Sequence, residues 1–180
     1  MRSASTAAAA LLLPVAVFSV STGRPGYGLI GYGIDMYQPT CAYACKDSIS
    51  NPLNCDDRDM RVVRRMGGMS MEKPSPECYA TNDPYLQSLA YCILTHCANV
   101  DMWKLERFWL MNVAGRKLRQ PMPKMPYQEA LESIDQVPTK VVPSDEMLHN
   151  ATLVDEETYL SNYNGNHGFE MNEGTNSRYR

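Results

Sequence analysis

Asp83-Pro84-Tyr85-Leu86-Gln87-Ser88-Leu89-Ala90-Tyr91-Cys92-Ile93-Leu94-Thr95-His96-Cys97 is the stretch that decides the fold. Asn82 or Asp83 supplies an N-cap, and Pro84 suits the first helical position, where its missing N–H costs nothing. Leu86, Leu89, Ala90, Ile93, Leu94 and Cys97 then recur every three to four residues, so one face of the helix is apolar. Asn99 ends it. Asp101 begins a second helix, marked by Trp103, Leu105, Phe108, Trp109 and Val113 and stopped by Gly115. With so short a turn between them, 83–98 and 101–114 are expected to form a helical hairpin.

Cysteines extend the reading on both sides of this helix. Cys41, Cys45, Cys55, Cys78, Cys92 and Cys97 all lie between residues 41 and 97. An even number in a secreted chain reads as a disulfide framework, with 15 pairings open. No C-x-x-C pair occurs, which disfavours zinc. Thr40 is expected to cap a short helix, Cys41–Ile49, whose two cysteines share one face and bridge to other segments. The hairpin held to that helix by disulfides is the expected core. Residues 51–82, with Pro52, Gly67-Gly68, Pro74 and Pro76, read as a loop that contains a short helix over Met60–Arg65 and is tied down by Cys55 and Cys78.

Further on, Pro121, Pro123 and Pro126 separate the hairpin from a short helix at Tyr127–Ile134. Ser144 with Met147–Leu148, and then Asp155–Tyr163 with Glu156 and Glu157 in its first turn, predict two more. Asn164 to Arg180 is rich in Asn and Gly and reads as a flexible tail. The fold class is therefore all-α: a small, disulfide-stabilised helical domain with long loops. Its divisions are a signal peptide over 1–22, a cysteine-rich domain over 23–163 and a juxtamembrane-like tail over 164–180.

The signal rests on Arg2, the apolar run Ala7–Val20 and the small residues Ser19, Ser21, Thr22 and Gly23. Asn150-Ala151-Thr152 is a glycosylation sequon and fits the same secretory route. Across 180 residues, 17 Lys+Arg against 20 Asp+Glu leave no basic excess for nucleic acid. No phosphate-binding loop is present. After residue 23 no apolar run is long enough to cross a bilayer.

Chemistry-bearing patterns are few. His96 sits in the helical pattern and reads as structural, while His149 and His167 read as solvated. No Ser or Cys nucleophile is placed near a His, so no catalytic or cofactor-binding residue is assigned. Methionine is unusual, with 12 in the chain. Met66, Met69 and Met71 surround a Gly-Gly pair, and soft thioethers suit Cu(I); the plainer reading of these residues is gap-filling or exposure. Met122 and Met125 form a second M-x-x-M. Charge is segregated: residues 101–126 are mainly basic and 129–173 mainly acidic. This reads as two solvated faces attracting one another, or as a basic patch for an anionic ligand.

Two phrases are more specific. Gly28 to Ile49, GLIGYGIDMYQPTCAYACKDSI, and Asp83 to Cys97, together with Lys104-Leu105-Glu106-Arg107-Phe108-Trp109, resemble the N-terminal extracellular segment of fungal ferric reductases. Phe169-Glu170-Met171-Asn172-Glu173 and Ser177-Arg178-Tyr179 resemble the approach to that family's first membrane helix. The resemblance implies an extracellular domain of enzymes that pass electrons from NADPH through FAD and two transmembrane haems to Fe(III) or Cu(II) chelates. The haem-ligating histidine pairs and the flavin and nicotinamide motifs are not in this sequence. The resemblance therefore implies no cofactor in this chain and no reductase activity from it alone; haem, FAD and NADPH belong to a full-length member. Contact with a membrane is expected only if the chain continues beyond Arg180. A fragment of a reductase and a secreted paralogue both fit. A different class, a secreted cysteine-rich protein binding metal, haem or a partner, is the alternative. Within the resemblance, Lys104, Arg107, Arg116, Lys117 and Arg119 are expected to steer anionic ferric or cupric chelates.

Overall fold

Asn82 opens the central helix as the spacing predicts. Its side-chain oxygen accepts the Tyr85 N–H at 3.0 Å, and Pro84 lies in the first turn. The computed structural model describes residues 38–56, 60–64, 70–115 and 120–176. Its elements are α1 (Thr40–Ser48), β1 (Met60–Arg64), β2 (Ser70–Pro74), α2 (Pro76–Thr81), α3 (Asp83–His96), α4 (Met102–Asn112), α5 (Tyr127–Glu132) and α6 (Glu156–Asn176). The expected signal peptide over 1–22 lies outside the described residues.

Helix α3 is the centre of the molecule. Leu86, Leu89, Ala90 and Ile93 are fully buried on its inner face. Cys41–Cys97 and Cys45–Cys92 bond it to α1, each with Cα atoms 5.7 Å apart. The i, i+4 pair on α1 thus meets two positions one turn apart at the end of α3. Ala42 and Ala44 of α1 are fully buried, and α1 packs on both α3 and α6. Pro39, not Thr40, is the N-cap of α1; Thr40 already lies in the first turn, without a side-chain cap.

α3 and α4 follow one another closely and share one buried core, with Tyr85 at the start of α3 reaching the end of α4 as the expected hairpin requires. α3 packs on α1, α2 and α5, while α4 packs on α5. Large side chains span the remaining space. Tyr43 of α1 meets Phe108 edge-on at 4.9 Å, and its hydroxyl donates to Asn112 Oδ1 at 2.9 Å. The Tyr85 hydroxyl donates to the Val113 carbonyl at 3.2 Å. Burial pushes that phenol far above its ordinary value, with Tyr79 and Asp47 adding to the shift. Lys46 donates to the carbonyls of Asn112 and Gly115, so a cation closes the C-terminal end of α4 where the helix dipole favours one. Gly115 itself has φ +153°, a backbone region that L side chains rarely enter.

β1 and β2 correct the all-α expectation. They pair antiparallel, with Met60 opposite Pro74 and Arg64 opposite Ser70, where a short helix was expected over Met60–Arg65. Adjacent β-branched Val62 and Val63 favour the extended state. α2 was also expected as loop; Ser75 accepts the Cys78 N–H at 3.2 Å and Pro76 takes the first position, a start signal present in the sequence. Cys55–Cys78 ties the loop after α1 to α2. Helical structure dominates and all six cysteines are paired.

The helix expected around Ser144 and Met147–Leu148 is absent. Leu148 is buried instead, in a parallel bridge with Leu53, and its N–H donates to the Pro52 carbonyl at 3.0 Å. Asn51 Nδ2 reaches three carbonyls of this segment, Val142, Pro143 and Glu146. Thr152 fixes its far end. The Thr152 N–H donates to Ser88 Oγ at 2.9 Å, and its hydroxyl accepts the Val142 N–H and donates to the Lys140 carbonyl. The sequon is thereby split: Asn150 is exposed, whereas Thr152 is buried. Asn150→Gln is expected to remove any glycan with less than about 0.5 kcal/mol change in stability. Thr152→Ala is expected to cost about 1–3 kcal/mol even in unglycosylated protein, because the Val142 N–H loses its acceptor, while Thr152→Ser keeps both bonds. Urea unfolding of protein made in a host that adds no glycan checks this, and equal stability of the three variants would contradict it.

Residues 164–176, expected as a flexible tail, continue α6 without a break. Asp155 starts that helix by accepting from the Thr158 N–H and hydroxyl, each at 2.8 Å, bonds that hold its carboxyl below the usual carboxylate range. Asn162 Nδ2 donates to Ser48 Oγ at 2.9 Å and Asn166 Nδ2 to Asp47 Oδ2 at 3.3 Å. Asn166, in the stretch that reads as a flexible tail, therefore joins Asn162 in docking α6 on α1. No helix among the described residues is long and apolar enough to cross a membrane.

Candidate functional site

A cleft opens where the end of α3 and the first turns of α4 meet α1 and α6. It encloses about 760 Å³, within the range usual for small-molecule sites. Its base is the Cys41–Cys97 bond, both residues buried. One wall comes from the first turns of α4: Trp103, Lys104, Arg107 and Phe108. Trp103 is 61% exposed, an unusual position for the largest apolar side chain. Lys104 Nζ lies 2.9 Å from Asp101 Oδ2 and 5.4 Å from the Trp103 ring centre, which holds the ammonium near the cleft.

The opposite wall is a row of rings. Tyr159, Tyr163 and His167 recur every four residues and so share one face of α6. His96, from the last turn of α3, stacks on Tyr159 with centroids 3.7 Å apart and planes 23° apart. Tyr159 and Tyr163 follow at 6.0 Å, and Tyr163 and His167 at 5.8 Å with planes 13° apart. His96 Nε2 is 3.7 Å from a Glu156 carboxylate oxygen. Burial, with Tyr163 and Glu156 adding, pushes the Tyr159 phenol up to about 12. Tyr159 is buried beneath His96, and its phenol adds no negative charge that would repel an anion.

The residues singled out by sequence fall unevenly around this cleft. Lys104 and Arg107 line it. Arg116, Lys117 and Arg119 lie outside the described residues. Of the methionines considered for Cu(I), Met66 and Met69 also lie outside them, and Met71 is in β2 opposite Val63. Met125 fills space against the core, and its carbonyl accepts the Trp109 indole N–H at 2.9 Å. Among the described residues no group of three or more His, Cys, Asp or Glu is arranged to hold a metal ion. His96 is half-buried against Tyr159, His149 is exposed, and His167, also exposed, lies parallel to the Tyr163 ring.

The expected attraction between basic and acidic thirds is not how Lys104 and Lys124 are satisfied. Lys124 pairs with Asp83 of α3, and Lys104 with Asp101 of its own turn. Within the basic stretch, Glu106 turns back to accept the Tyr127 and Gln128 N–H groups at 3.3 and 3.4 Å, capping α5. That carboxylate adds to burial in raising the Tyr127 phenol to about 12. The aromatic wall went unrecognised in the sequence because the helix was ended at Tyr163. The four-residue spacing of Tyr159, Tyr163 and His167 was the signal that could have found it.

No known protein family, curated protein or solved structure matches the chain.

Proposed function

We propose that this chain is an extracellular, non-catalytic capture domain of the ferric-chelate reductase type, which holds anionic metal chelates in the cleft between α4 and α6. The observation that carries this reading is the placement of Lys104 and Arg107 on one wall of a cleft whose other wall is aromatic and carries the Glu156 carboxylate. Lys104 also pairs with Asp101, so two cations meet two carboxylates there, in a chain whose net charge is −3. A locally balanced site on an acidic protein repels an anion less than the rest of the surface does. Three disulfides support an oxidising compartment, where ferric and cupric chelates occur outside the reducing cytosol. Delivery of electrons would fall to other parts of such a system; this chain's residues bind and orient.

Tryptophan emission tests the reading. The chain has two tryptophans; Trp109 is buried and Trp103 stands in the cleft. Ferric citrate is expected to quench Trp103 at low ionic strength, and the quenching should weaken as salt rises. Lys104→Gln with Arg107→Gln should weaken binding by about tenfold or more. Absence of quenching by any anionic ferric chelate, or quenching indifferent to the double substitution, overturns the proposal.

A further inference from the structure

The geometry points to a planar aromatic anion as the ligand that this cleft selects. The inference rests on reading the cleft as an anion site and adds what sort of anion fits it. Charge alone does not explain the opposite wall. An anion site needs donors and cations, yet here the row His96, Tyr159, Tyr163 and His167 runs along one side, with Trp103 exposed on the other. A planar ring in the cleft can meet exposed Trp103 on one wall and half-buried Tyr163 with exposed His167 on the other, Tyr159 being covered by His96, and ring pairs favour offset or edge contacts at centroid separations of roughly 4.5–7 Å. Burial pushes the Tyr159 phenol up to about 12, so this part of the wall adds no charge.

The charged groups fix which end of such a ligand goes where. Glu156 lies beside His96, so the carboxylate or phenolate of the ligand avoids that end. Lys104 and Arg107 sit on the α4 wall, and Arg107 offers the planar fork that matches a carboxylate. An aromatic carboxylate or catecholate combines a stacking face with an anionic edge in one rigid group, so little conformational freedom is lost on binding. An aliphatic polycarboxylate supplies the charge without the ring.

Four probes on the intact chain separate the possibilities: ferric citrate, the ferric complex of 2,3-dihydroxybenzoate, and the two acids free of metal. Binding is read by Trp103 emission and by calorimetry. The aromatic probes are expected to bind about tenfold more tightly than the matching aliphatic ones, the scale of one added ring contact. Tyr163→Leu should erase that preference, bringing the aromatic probes to the affinity of the aliphatic ones. Tyr163 is half-buried, so His167→Ala, at an exposed end of the row, serves as a second variant if the first loses stability. Equal affinity for aromatic and aliphatic probes, or a preference untouched by both variants, overturns the aromatic inference and leaves the anion reading standing. Binding of the free aromatic acid but of neither ferric complex supports the aromatic inference and removes the chelate reading. Failure of all four probes removes both.

Discussion

Replacing Cys41, Cys45, Cys92 and Cys97 together by alanine is expected to lower the unfolding free energy by about 7 kcal/mol, while removing either bond alone costs about 3 kcal/mol. The difference follows from nesting. Cys41–Cys97 closes a loop that contains Cys45–Cys92. With one bond in place, the other closes only the short ring between them, a small entropic gain. Once both are gone, the chain from α1 to the end of α3 is free. A domain of this size has roughly 5–15 kcal/mol of stability in all, so the quadruple variant should be largely unfolded under native conditions. Cys55–Cys78 closes a shorter loop, its ends 23 positions apart in sequence, and its loss is expected to cost about 3 kcal/mol. Urea titrations followed by Trp109 emission measure all four variants. Additive losses from the two α1–α3 bonds, with no excess in the double removal, would show that loop entropy is not their source.

Trp109→Ala is expected to cost about 4 kcal/mol. The indole is 2% exposed, lies 5.6 Å from the Tyr127 ring, and donates to the Met125 carbonyl. It therefore ties α4 both to α5 and to the proline-rich link before α5. Truncation leaves a large void that this rigid, disulfide-bonded core cannot collapse to fill. Trp109→Phe separates the two contributions. It keeps a ring against Tyr127 but leaves the Met125 carbonyl without its donor, for an expected loss of about 1–2 kcal/mol. A phenylalanine variant as unstable as the alanine variant would place the whole effect in the hydrogen bond; one as stable as the parent would place it in packing.

Much of this core was legible because helix starts and cysteines are strong local signals. Asn82-Asp83-Pro84 announced α3 within a residue, and Asp101 announced α4. The bonding of α1 to α3 followed from four cysteines on two helical faces, although their partners did not. Where the reading failed, tertiary contacts outweighed local preference. Leu148 was taken for a helix residue, but burial against Leu53 draws it into an extended bridge. Asn164 and Asn166 argue against helix in the sequence, yet Asn166, like Asn162 before it, finds an acceptor on α1 that no local rule contains. The pairing of β1 with β2 was hidden because the strands are short and lie in a stretch punctuated by Gly and Pro. The cleft was half legible: Lys104 and Arg107 were singled out for charge, but the rings opposite them lie more than fifty residues away in sequence.

The division of the sequon has a consequence for timing. An enzyme that recognises Asn150 together with the Thr152 hydroxyl needs both at the surface at once. In the folded protein that hydroxyl is buried and already engaged with Val142 and Lys140. Glycan transfer and docking of this segment on Ser88 are therefore mutually exclusive steps, in a fixed order. Carbohydrate at Asn150 would be a clock reading: its occupancy records how long the last irregular stretch of the chain stayed loose before α6 locked against α1.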